Sequence, residues 1–188
     1  MNKRAKLIVI SGPSGVGKTT ICNEIISRRK DIVYSISATS RPKRRGEKNG
    51  REYFFLSEDE FKRWIEQDKF AEYAVVHGNY YGTPKDFLKE NLGNGVSVLM
   101  DIDVQGAKKL MPLYPDGVYI FVMPPDFEEL KNRLMKRNTD EEKVIENRLN
   151  TAKKELKYAK DYKYVVKNIH LEKTIAEILA IIDNETGK

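Results

Sequence analysis

The run Gly12-Pro13-Ser14-Gly15-Val16-Gly17-Lys18-Thr19 matches the pattern G-x-x-x-x-G-K-[ST] at every fixed position. It follows the apolar, β-branched run Leu7-Ile8-Val9-Ile10 and precedes an apolar-periodic segment that begins at Thr20. A strand that leads into a glycine-rich turn and then into a helix is the context in which this pattern binds phosphate. The sequence therefore predicts a loop whose backbone N–H groups surround a phosphate, near the start of an α/β fold.

Two side chains of this loop are expected to act on the ligand. Lys18 would reach the β- and γ-phosphates of a nucleoside triphosphate as a positive charge, and the hydroxyl of Thr19 would be a ligand of Mg²⁺. The helix that begins at Lys18 adds the positive end of its dipole. A flexible Gly/Ser turn is the alternative, but the complete pattern between a strand and a helix disfavours it.

The composition predicts one globular unit that favours anionic partners. The chain has 188 residues, of which 40% are hydrophobic, and this suffices for one core rather than two independent domains. Its formal net charge of +6 favours nucleotides, nucleic acid or an anionic surface, and charge alone does not choose among them. The single cysteine, Cys22, cannot form an intrachain disulfide and is expected to be a small core residue.

The sequence shows no targeting or membrane signal. The basic N-terminus is followed by an apolar run that is too short for the hydrophobic region of a signal peptide. No apolar run approaches the length of a membrane span. We therefore expect a cytoplasmic protein without a membrane partner.

A basic loop follows the first strand–helix unit. Residues 39–51 are dense in Arg and Lys, contain Pro42, Gly46 and Gly50, and show no helical or strand periodicity. A solvated loop is the usual interpretation of such a charge run. Because a nucleotide site is predicted one strand away, and because the planar guanidinium group binds phosphate with two hydrogen bonds, we expect arginines of this loop to bind phosphate.

Strand and helix patterns alternate along the rest of the chain. Ser57 and Glu60 form a capping box, and Thr83 and Pro84 are expected to be the N-cap and the first residue of a later helix. A turn is expected at 77–82. Strands are predicted at 34–38, 53–56, 70–76, 96–101, 117–123 and 164–166, and charged or apolar helices at 128–137, 141–158 and from 171 to 182.

Two aspartates follow the apolar strand 96–101. Asp101 ends the strand, and Asp103 lies two residues further on. In open parallel sheets ligands bind at the carboxyl ends of the strands, so both carboxylates are expected beside the phosphate loop. Capping of the next helix is the alternative for Asp103.

These patterns predict an α/β fold with a three-layer, parallel-sheet core of the P-loop NTPase type. A single domain would span residues 1–188, with a core formed by 1–36, 92–125 and 159–188. Residues 37–91 would be a strand-rich insertion that binds the second substrate. Residues 126–158 carry thin apolar stripes among many charges and would form a helical lid.

The chain resembles the guanylate kinases, which phosphorylate GMP to GDP with ATP. The resemblance extends from about Lys6 to Ile182. It rests on the phosphate loop, on the segment from Ser37 through Gly46-Glu47 with Gly50 and Tyr53, on Glu72, on Gly78-Asn79-Tyr80-Tyr81-Gly82-Thr83, on Asp101-Ile102-Asp103-Val104-Gln105-Gly106, and on Arg133, Arg137, Arg148 and Asn168.

On the ATP side, the resemblance implies a phosphate loop in which Lys18 is catalytic and Thr19 binds Mg²⁺. Two lid arginines, Arg137 and Arg148, would be catalytic because they reach the transferring phosphoryl group. The implied ATP-binding residues are Gly12, Pro13, Ser14, Gly15, Val16, Gly17, Lys18, Thr19, Thr20 and Asn168.

On the GMP side, the resemblance implies two sets of residues. Arg41, Arg44, Tyr53 and Tyr81 would hold the phosphate of GMP, with Arg41 also counted as catalytic. Asp101 would support the waters of Mg²⁺ or contact GMP. The guanine would be read by Ser37, Glu72 and Thr83.

The guanine assignment makes independent chemical sense. Guanine presents N1–H and N2–H₂ donors and an O6 acceptor, which complement a carboxylate at Glu72 and hydroxyls at Ser37 and Thr83. Adenine would place the lone pair of N1 against Glu72. A site of buried hydrogen-bonding groups rejects an analogue that leaves them unpaired, by roughly 10⁴ to 10⁵ in the best cases.

Three other functions remain as alternatives. A related enzyme could act on another phosphorylated acceptor, such as a ribosyl bisphosphate, but Glu72 and Thr83 argue against it. A non-catalytic scaffold is disfavoured by the intact phosphate loop, and nucleic-acid binding is suggested only by the net charge. We expect ATP and GMP or dGMP as partners, no nucleic acid, and a monomer or homodimer.

Overall fold

The computed structural model describes residues 5–76, 78–135 and 142–188, with the backbone alone at 142–144. The strands are β1 (Leu7–Ser11), β2 (Ile32–Tyr34), β3 (Ala38–Thr39), β4 (Phe54–Phe55), β5 (Phe70–Val76), β6 (Asn79–Pro84), β7 (Ser97–Asp101), β8 (Val118–Met123) and β9 (Tyr164–Lys167). The helices are α1 (Lys18–Arg28), α2 (Glu58–Glu66), α3 (Lys85–Gly93), α4 (Val104–Leu113), α5 (Phe127–Met135), α6 (Glu142–Leu156) and α7 (Leu171–Thr186), with a 3₁₀ helix at Lys157–Asp161.

The core of the molecule is a five-stranded parallel sheet in the order β2-β7-β1-β8-β9. β1 lies in the middle, and all five of its residues are buried. Side chains of a strand alternate between the two faces of a sheet. Ile8 and Ile10 therefore enter the apolar cluster on one face, and Leu7 and Val9 enter the cluster on the other.

Helices cover both faces of this sheet, as the three-layer prediction required. On one face α1 and α7 contribute Ile21, Cys22 and Ile175 to the apolar cluster, and Cys22 is buried as expected. On the other face α3 and α4 contribute Leu88 and Leu110. The phosphate loop leaves the carboxyl end of the central strand and enters α1, so the sheet fixes where the loop lies.

A second, four-stranded sheet has the order β4-β3-β6-β5 and lies in the predicted insertion. Helix α2 packs Phe61 on this sheet, with its ring stacked 4.4 Å from that of Phe70. The capping box at the start of α2 is confirmed, because the side chains of Ser57 and Glu60 each accept a hydrogen bond from the other's backbone N–H. The α3 side chain Leu88 packs instead on the main sheet.

The charged segment beyond β8 forms a small cluster of its own. Leu130 and Leu134 of α5 pack against Ala152 of α6 and are buried there. The same two leucines approach the phosphate loop, since a Cβ added at Gly15 would lie 2.8 Å from Leu134. The apolar stripe of α5 therefore packs beside the phosphate loop.

Three local predictions are wrong. Residues 34–38 do not form one strand, because β2 ends at Tyr34 in the main sheet and β3 begins at Ala38 in the second sheet. The predicted turn at 77–82 is largely the strand β6, which pairs with β5 and β3. Thr83 lies in that strand and does not cap α3, whose N-cap residue is Pro84.

Among the described residues, no helix combines the length and the apolar character that a membrane span requires.

Candidate active site

A cleft of about 610 Å³ lies between the phosphate loop, the second sheet and α6. It brings together most of the predicted site residues from well-separated parts of the sequence. Those that line it are Gly12, Ser14, Gly15, Gly17, Lys18, Thr19, Thr20, Ser37, Arg41, Arg44, Tyr53, Glu72, Tyr81, Asp101 and Arg148.

The phosphate loop has the backbone conformation that its glycines predict. Gly12 has φ 141°, and a Cβ added there would lie 2.3 Å from the carbonyl oxygen of Val122, so no side chain fits. Gly17 has φ 99° and is the N-cap of α1, where it has no side chain between the helix N-terminus and the cleft. The loop therefore presents backbone N–H groups and the positive end of a helix dipole to the cleft.

Lys18 is held by the loop itself. Its Nζ donates hydrogen bonds to the carbonyl oxygens of Gly12, at 2.7 Å, and of Pro13, at 3.1 Å. Burial lowers the pKa of Lys18, while the nearby carboxylates of Asp101, Glu155 and Asp103 act in the opposite direction. An ammonium group whose hydrogen bonds here go to neutral carbonyl oxygens gains from an incoming phosphate.

Asp101 accepts two hydrogen bonds at the end of β7. The hydroxyl of Thr19 donates to its Oδ2 at 2.7 Å, and the hydroxyl of Tyr34 donates to its Oδ1. Burial, followed by the field of Asp101, raises the pKa of Tyr34, so that its hydroxyl stays protonated and acts as a donor. Asp103 caps α4 by accepting hydrogen bonds from the backbone N–H groups of Gln105 and Gly106, as its alternative interpretation predicted.

These oxygen donors suit Mg²⁺ that arrives with a nucleotide. Mg²⁺ prefers oxygen ligands and usually takes one or two from the protein and the rest from phosphates and water. The hydroxyl of Thr19 and the carboxylate of Asp101 are in contact and meet that description. Within the described residues no group of three or more His, Cys, Asp or Glu side chains could hold a metal alone.

The basic loop holds its first arginine in place. The guanidinium group of Arg41 donates to both carboxylate oxygens of Glu47, at 3.1 and 2.8 Å. It also lies over the ring of Tyr53, 5.5 Å from the centroid. Glu47 further accepts the backbone N–H of Arg44 at 2.7 Å. Arg41, Arg44, Tyr53 and Tyr81 thus form one polar wall of the cleft.

Glu72 of β5 presents a buried carboxyl group to the same cleft. Its Oε1 accepts a 2.7 Å hydrogen bond from the hydroxyl of Thr83 in β6. Burial raises the pKa of Glu72 to about 7, against the opposing effect of that hydrogen bond. The other oxygen lies beside Gly106, where an added Cβ would come within 2.7 Å of Oε2.

Helix α6 lines the cleft with one face. Arg148, Thr151 and Glu155 recur at helical spacing and all reach it. Arg148 therefore lies where the lid arginine was predicted. The second predicted lid arginine, Arg137, lies outside the described residues.

Four predicted site residues do not line the cleft. Pro13 and Val16 are buried, and Val16 belongs to the apolar cluster on one face of the main sheet. Asn168 is buried behind the loop, where its Nδ2 donates to the carbonyl oxygen of Val16 at 2.8 Å. Thr83 is buried beneath Glu72. Asn168 and Thr83 thus contact other site residues instead of the open cleft.

Sequence reasoning assigned no role to several groups in the cleft. Tyr34 donates a hydrogen bond to Asp101, and Glu47 accepts hydrogen bonds from Arg41. Glu155 faces the phosphate loop. Glu47 belongs to the segment on which the family resemblance rests, but neither the resemblance nor the basic loop around it gave this residue a role. Tyr34 and Glu155 gave none, because tertiary structure alone brings them to the cleft.

Comparison with known proteins gives a consistent result. A family model described as guanylate kinase matches residues 4–185. The guanylate kinase of Caldanaerobacter subterraneus subsp. tengcongensis is 50% identical over 182 residues, which cover 97% of this chain and 88% of that protein. The guanylate kinase of Clostridioides difficile is 46% identical over 186 residues, covering 99% and 91%. The crystal structure of guanylate kinase from Anaplasma phagocytophilum matches with a TM-score of 0.85 at 35% identity and covers 100% of this chain and 89% of that one.

Proposed function

The chain belongs to the guanylate kinase family and phosphorylates GMP to GDP with ATP, and from this premise we propose how its own residues carry out the transfer. The observation that carries the proposal is the cleft itself. One cleft contains both a phosphate loop, with Lys18, and a buried carboxyl group suited to guanine, that of Glu72.

ATP binds with its phosphates in the loop of residues 12–19. The backbone N–H groups and the N-terminus of α1 surround the β- and γ-phosphates. Lys18 leaves the carbonyl oxygens of Gly12 and Pro13 and pairs with the phosphates, because an anion is a better partner than two neutral carbonyl groups. Asn168 supports the loop from behind through Val16.

The hydroxyl of Thr19, with Asp101 beside it, would hold the Mg²⁺ that accompanies the nucleotide. When bound, it neutralises charge on the phosphate oxygens. Tyr34 holds the carboxylate of Asp101 from its other side, so the orientation of that carboxylate is already fixed. No general base is needed, because the acceptor oxygen of GMP is already an anion.

Glu72 selects the guanine base. Its carboxylate accepts hydrogen bonds from N1–H and N2–H₂ of guanine, and Thr83 orients it from below through the 2.7 Å contact. Ser37, at the wall of the cleft, donates to the base. The N1 atom of adenine has a lone pair in place of the N–H donor and would face a carboxylate without a proton between them.

The wall of Arg41, Arg44, Tyr53 and Tyr81 binds the phosphate of GMP. Arg41 reaches it with its orientation already set by Glu47 and by the ring of Tyr53. Two phosphate groups that repel each other are thereby held end to end, which is most of what phosphoryl transfer requires.

The lid completes the site. Arg148, and Arg137 beyond the described residues, stabilise the charge on the transferring phosphoryl group, in the way that arginines act in other phosphotransferases. Residues 126–158 and the insertion 37–91 close over the substrates and exclude water, which would otherwise hydrolyse ATP.

A coupled assay with ATP, Mg²⁺ and five acceptors, GMP, dGMP, AMP, CMP and UMP, tests this proposal. We expect GMP and dGMP to be phosphorylated, and AMP to react at least about 10³-fold less efficiently because it leaves Glu72 unpaired. The variant Lys18→Ala should lose turnover while its circular dichroism spectrum is unchanged. Phosphorylation of AMP with no activity on GMP would contradict the assignment of Glu72.

A further inference from the structure

Glu155 is an acidic side chain in a cleft that is built for anions. It lies near the end of α6 and lines the cleft together with the phosphate loop. Its Oε2 is buried and has no hydrogen-bond partner among the residues that the structure describes. Such an oxygen loses its hydration without full compensation. The position therefore needs an explanation beyond packing.

The groups that face Glu155 belong to the phosphate-binding machinery. Burial raises the pKa of its carboxyl group to about 7, whereas the ammonium group of Lys18 and the backbone N–H of Ser14 both favour the ionised form. Asp103 disfavours that form. The attractive partners of this carboxylate are thus a loop amide and the loop lysine, which are the groups that a triphosphate also uses.

From this arrangement we infer that Glu155 is an internal competitor of the triphosphate, a carboxylate that faces the Ser14 amide and Lys18 in the empty enzyme and leaves when ATP binds. The inference rests on the proposed function, since it assumes that the loop binds the phosphates of ATP. A carboxylate retained beside the γ-phosphate would repel it at short range and in a poorly hydrated site. Displacement of Glu155 removes that repulsion.

The competitor also links ATP binding to the lid. Glu155 and Arg148 are seven residues apart on α6, which is two helical turns, so both lie on the face that lines the cleft. A helix moves as one body. When a phosphate displaces Glu155 from the loop, the same movement changes the position of Arg148 relative to the phosphoryl group. Lid movement would then depend on occupancy of the loop.

Two other roles for Glu155 predict different effects on nucleotide affinity. If the carboxylate were needed to shape the loop for ATP, its neutralisation would weaken ATP binding. If it were an ordinary buried polar group, its neutralisation would change stability but not the affinity for either nucleotide. Affinity for ATP compared with affinity for GMP therefore distinguishes the three cases.

Isothermal titration of MgATP, and separately of GMP, into the wild type, Glu155→Gln and Glu146→Gln tests the inference. Glu146→Gln is a matched control because it makes the same change of charge at an exposed position of the same helix. We expect Glu155→Gln to bind MgATP about tenfold more tightly, the equivalent of one like charge removed from the phosphate site, with unchanged GMP affinity. Glu146→Gln should match the wild type.

Equal or weaker MgATP binding by Glu155→Gln would overturn the inference, as would a parallel gain for GMP. Glu155→Ala, which also removes the hydrogen-bond acceptor, should likewise bind MgATP more tightly than the wild type. It replaces Glu155→Gln in the test if the glutamine variant folds poorly. Failure of the wild type to bind MgATP would overturn the proposed function as well. Normal MgATP binding by the wild type with no gain in either variant would overturn the inference alone.

Discussion

The hydroxyl of Thr83 donates a 2.7 Å hydrogen bond to Oε1 of Glu72, and both side chains are buried. The two residues lie opposite each other on the antiparallel strands β5 and β6. A threonine expected to cap a helix thus supports the carboxyl group expected to read guanine. Because the hydroxyl is a donor here, it stabilises the ionised form of Glu72 against the effect of burial.

Thr83→Val should therefore weaken GMP binding without changing ATP binding. The change keeps the shape of the side chain and removes the only property that Glu72 uses, the O–H donor. Loss of a partner from a buried polar group costs roughly 1–3 kcal/mol, so the KM for GMP should rise about tenfold or more, with kcat and the KM for ATP nearly unchanged.

Thr186→Val is the control for this threonine variant. Thr186 is also buried but does not line the cleft, and its hydroxyl donates within α7 to the carbonyl oxygen of Ile182 at 2.7 Å. Its replacement should leave the KM for GMP as in the wild type. An unchanged KM for GMP in Thr83→Val would show that Thr83 does not act through Glu72.

Gly106→Ala should impair the guanine site by sterics. The new Cβ would lie 2.7 Å from Oε2 of Glu72, below any normal contact distance, so the carboxylate must shift. We expect a rise in the KM for GMP of about tenfold, equivalent to ~1.4 kcal/mol, and a smaller loss of thermal stability. Steady-state kinetics with GMP varied, and then with ATP varied, measures the effect.

Gly93→Ala is the matched control for this glycine variant. A Cβ added at Gly93 meets nothing within 4 Å, and the residue lies at the end of α3. Alanine there should be neutral or slightly stabilising. If both alanine variants behave alike, the space beside Glu72 is not what Gly106 provides.

The fold was predictable where local pattern and tertiary environment agree. The apolar strand 7–11, the phosphate loop and α1 form a unit whose sequence alone requires a buried strand, a glycine turn and a helix. β6 was missed because Gly78, Asn79 and Gly82, which are residues typical of turns, flank its two tyrosines. In the structure Gly82 lies in a strand between β5 and β3, and a Cβ there would lie 2.8 Å from the ring of Phe70. The glycine serves packing there and not a turn.

The site was predictable only as far as motifs extend. Lys18 and Thr19 follow from the loop pattern alone, and Glu72 and Arg41 from the family resemblance. Tyr34 lies 67 positions from Asp101, to which it donates a hydrogen bond. Glu155 comes from the opposite end of the chain to Lys18 and Ser14, the loop residues that favour its ionised form. No periodicity connects such positions, because their proximity arises from the stacking of separate elements around one sheet end.

Glu72→Gln should stabilise the empty protein at neutral pH. The carboxyl group has a pKa of about 7 in the folded protein and 4.5 in the unfolded chain, so between these values unfolding releases a proton and stability falls as the pH rises. The glutamine variant lacks this loss. The free energy of unfolding of the variant should exceed that of the wild type only slightly near pH 4 and by about 3 kcal/mol above pH 7, as measured by urea unfolding at both pH values. A constant difference across this range would mean that Glu72 ionises normally.

Glu185 should show the opposite pH dependence, because it stabilises the protein at neutral pH and loses that contribution in acid. Hydrogen bonds from Lys163 and Tyr164, both at 2.5 Å, and from Lys6 at 2.9 Å lower the pKa of this α7 carboxyl group to about 2. The unfolded chain binds the proton first as the pH falls. The stability that Glu185 contributes is therefore complete above pH 4.5 and is lost between pH 4.5 and 2.

Glu185→Gln should remove this acid-dependent part of the stability. Thermal unfolding followed from pH 7 to 2 should show a variant that is less stable than the wild type at pH 6, by an amount that shrinks as the pH falls below 4.5. The cause is local, since Glu185 ties the start of β1 to β9 through Lys6 and Lys163. Glu177→Gln, an exposed change on the same helix, should follow the wild type at every pH. A Glu185→Gln curve parallel to that of the wild type would mean that the carboxylate titrates equally in the folded and unfolded protein, and that the three donors do not bind its ionised form.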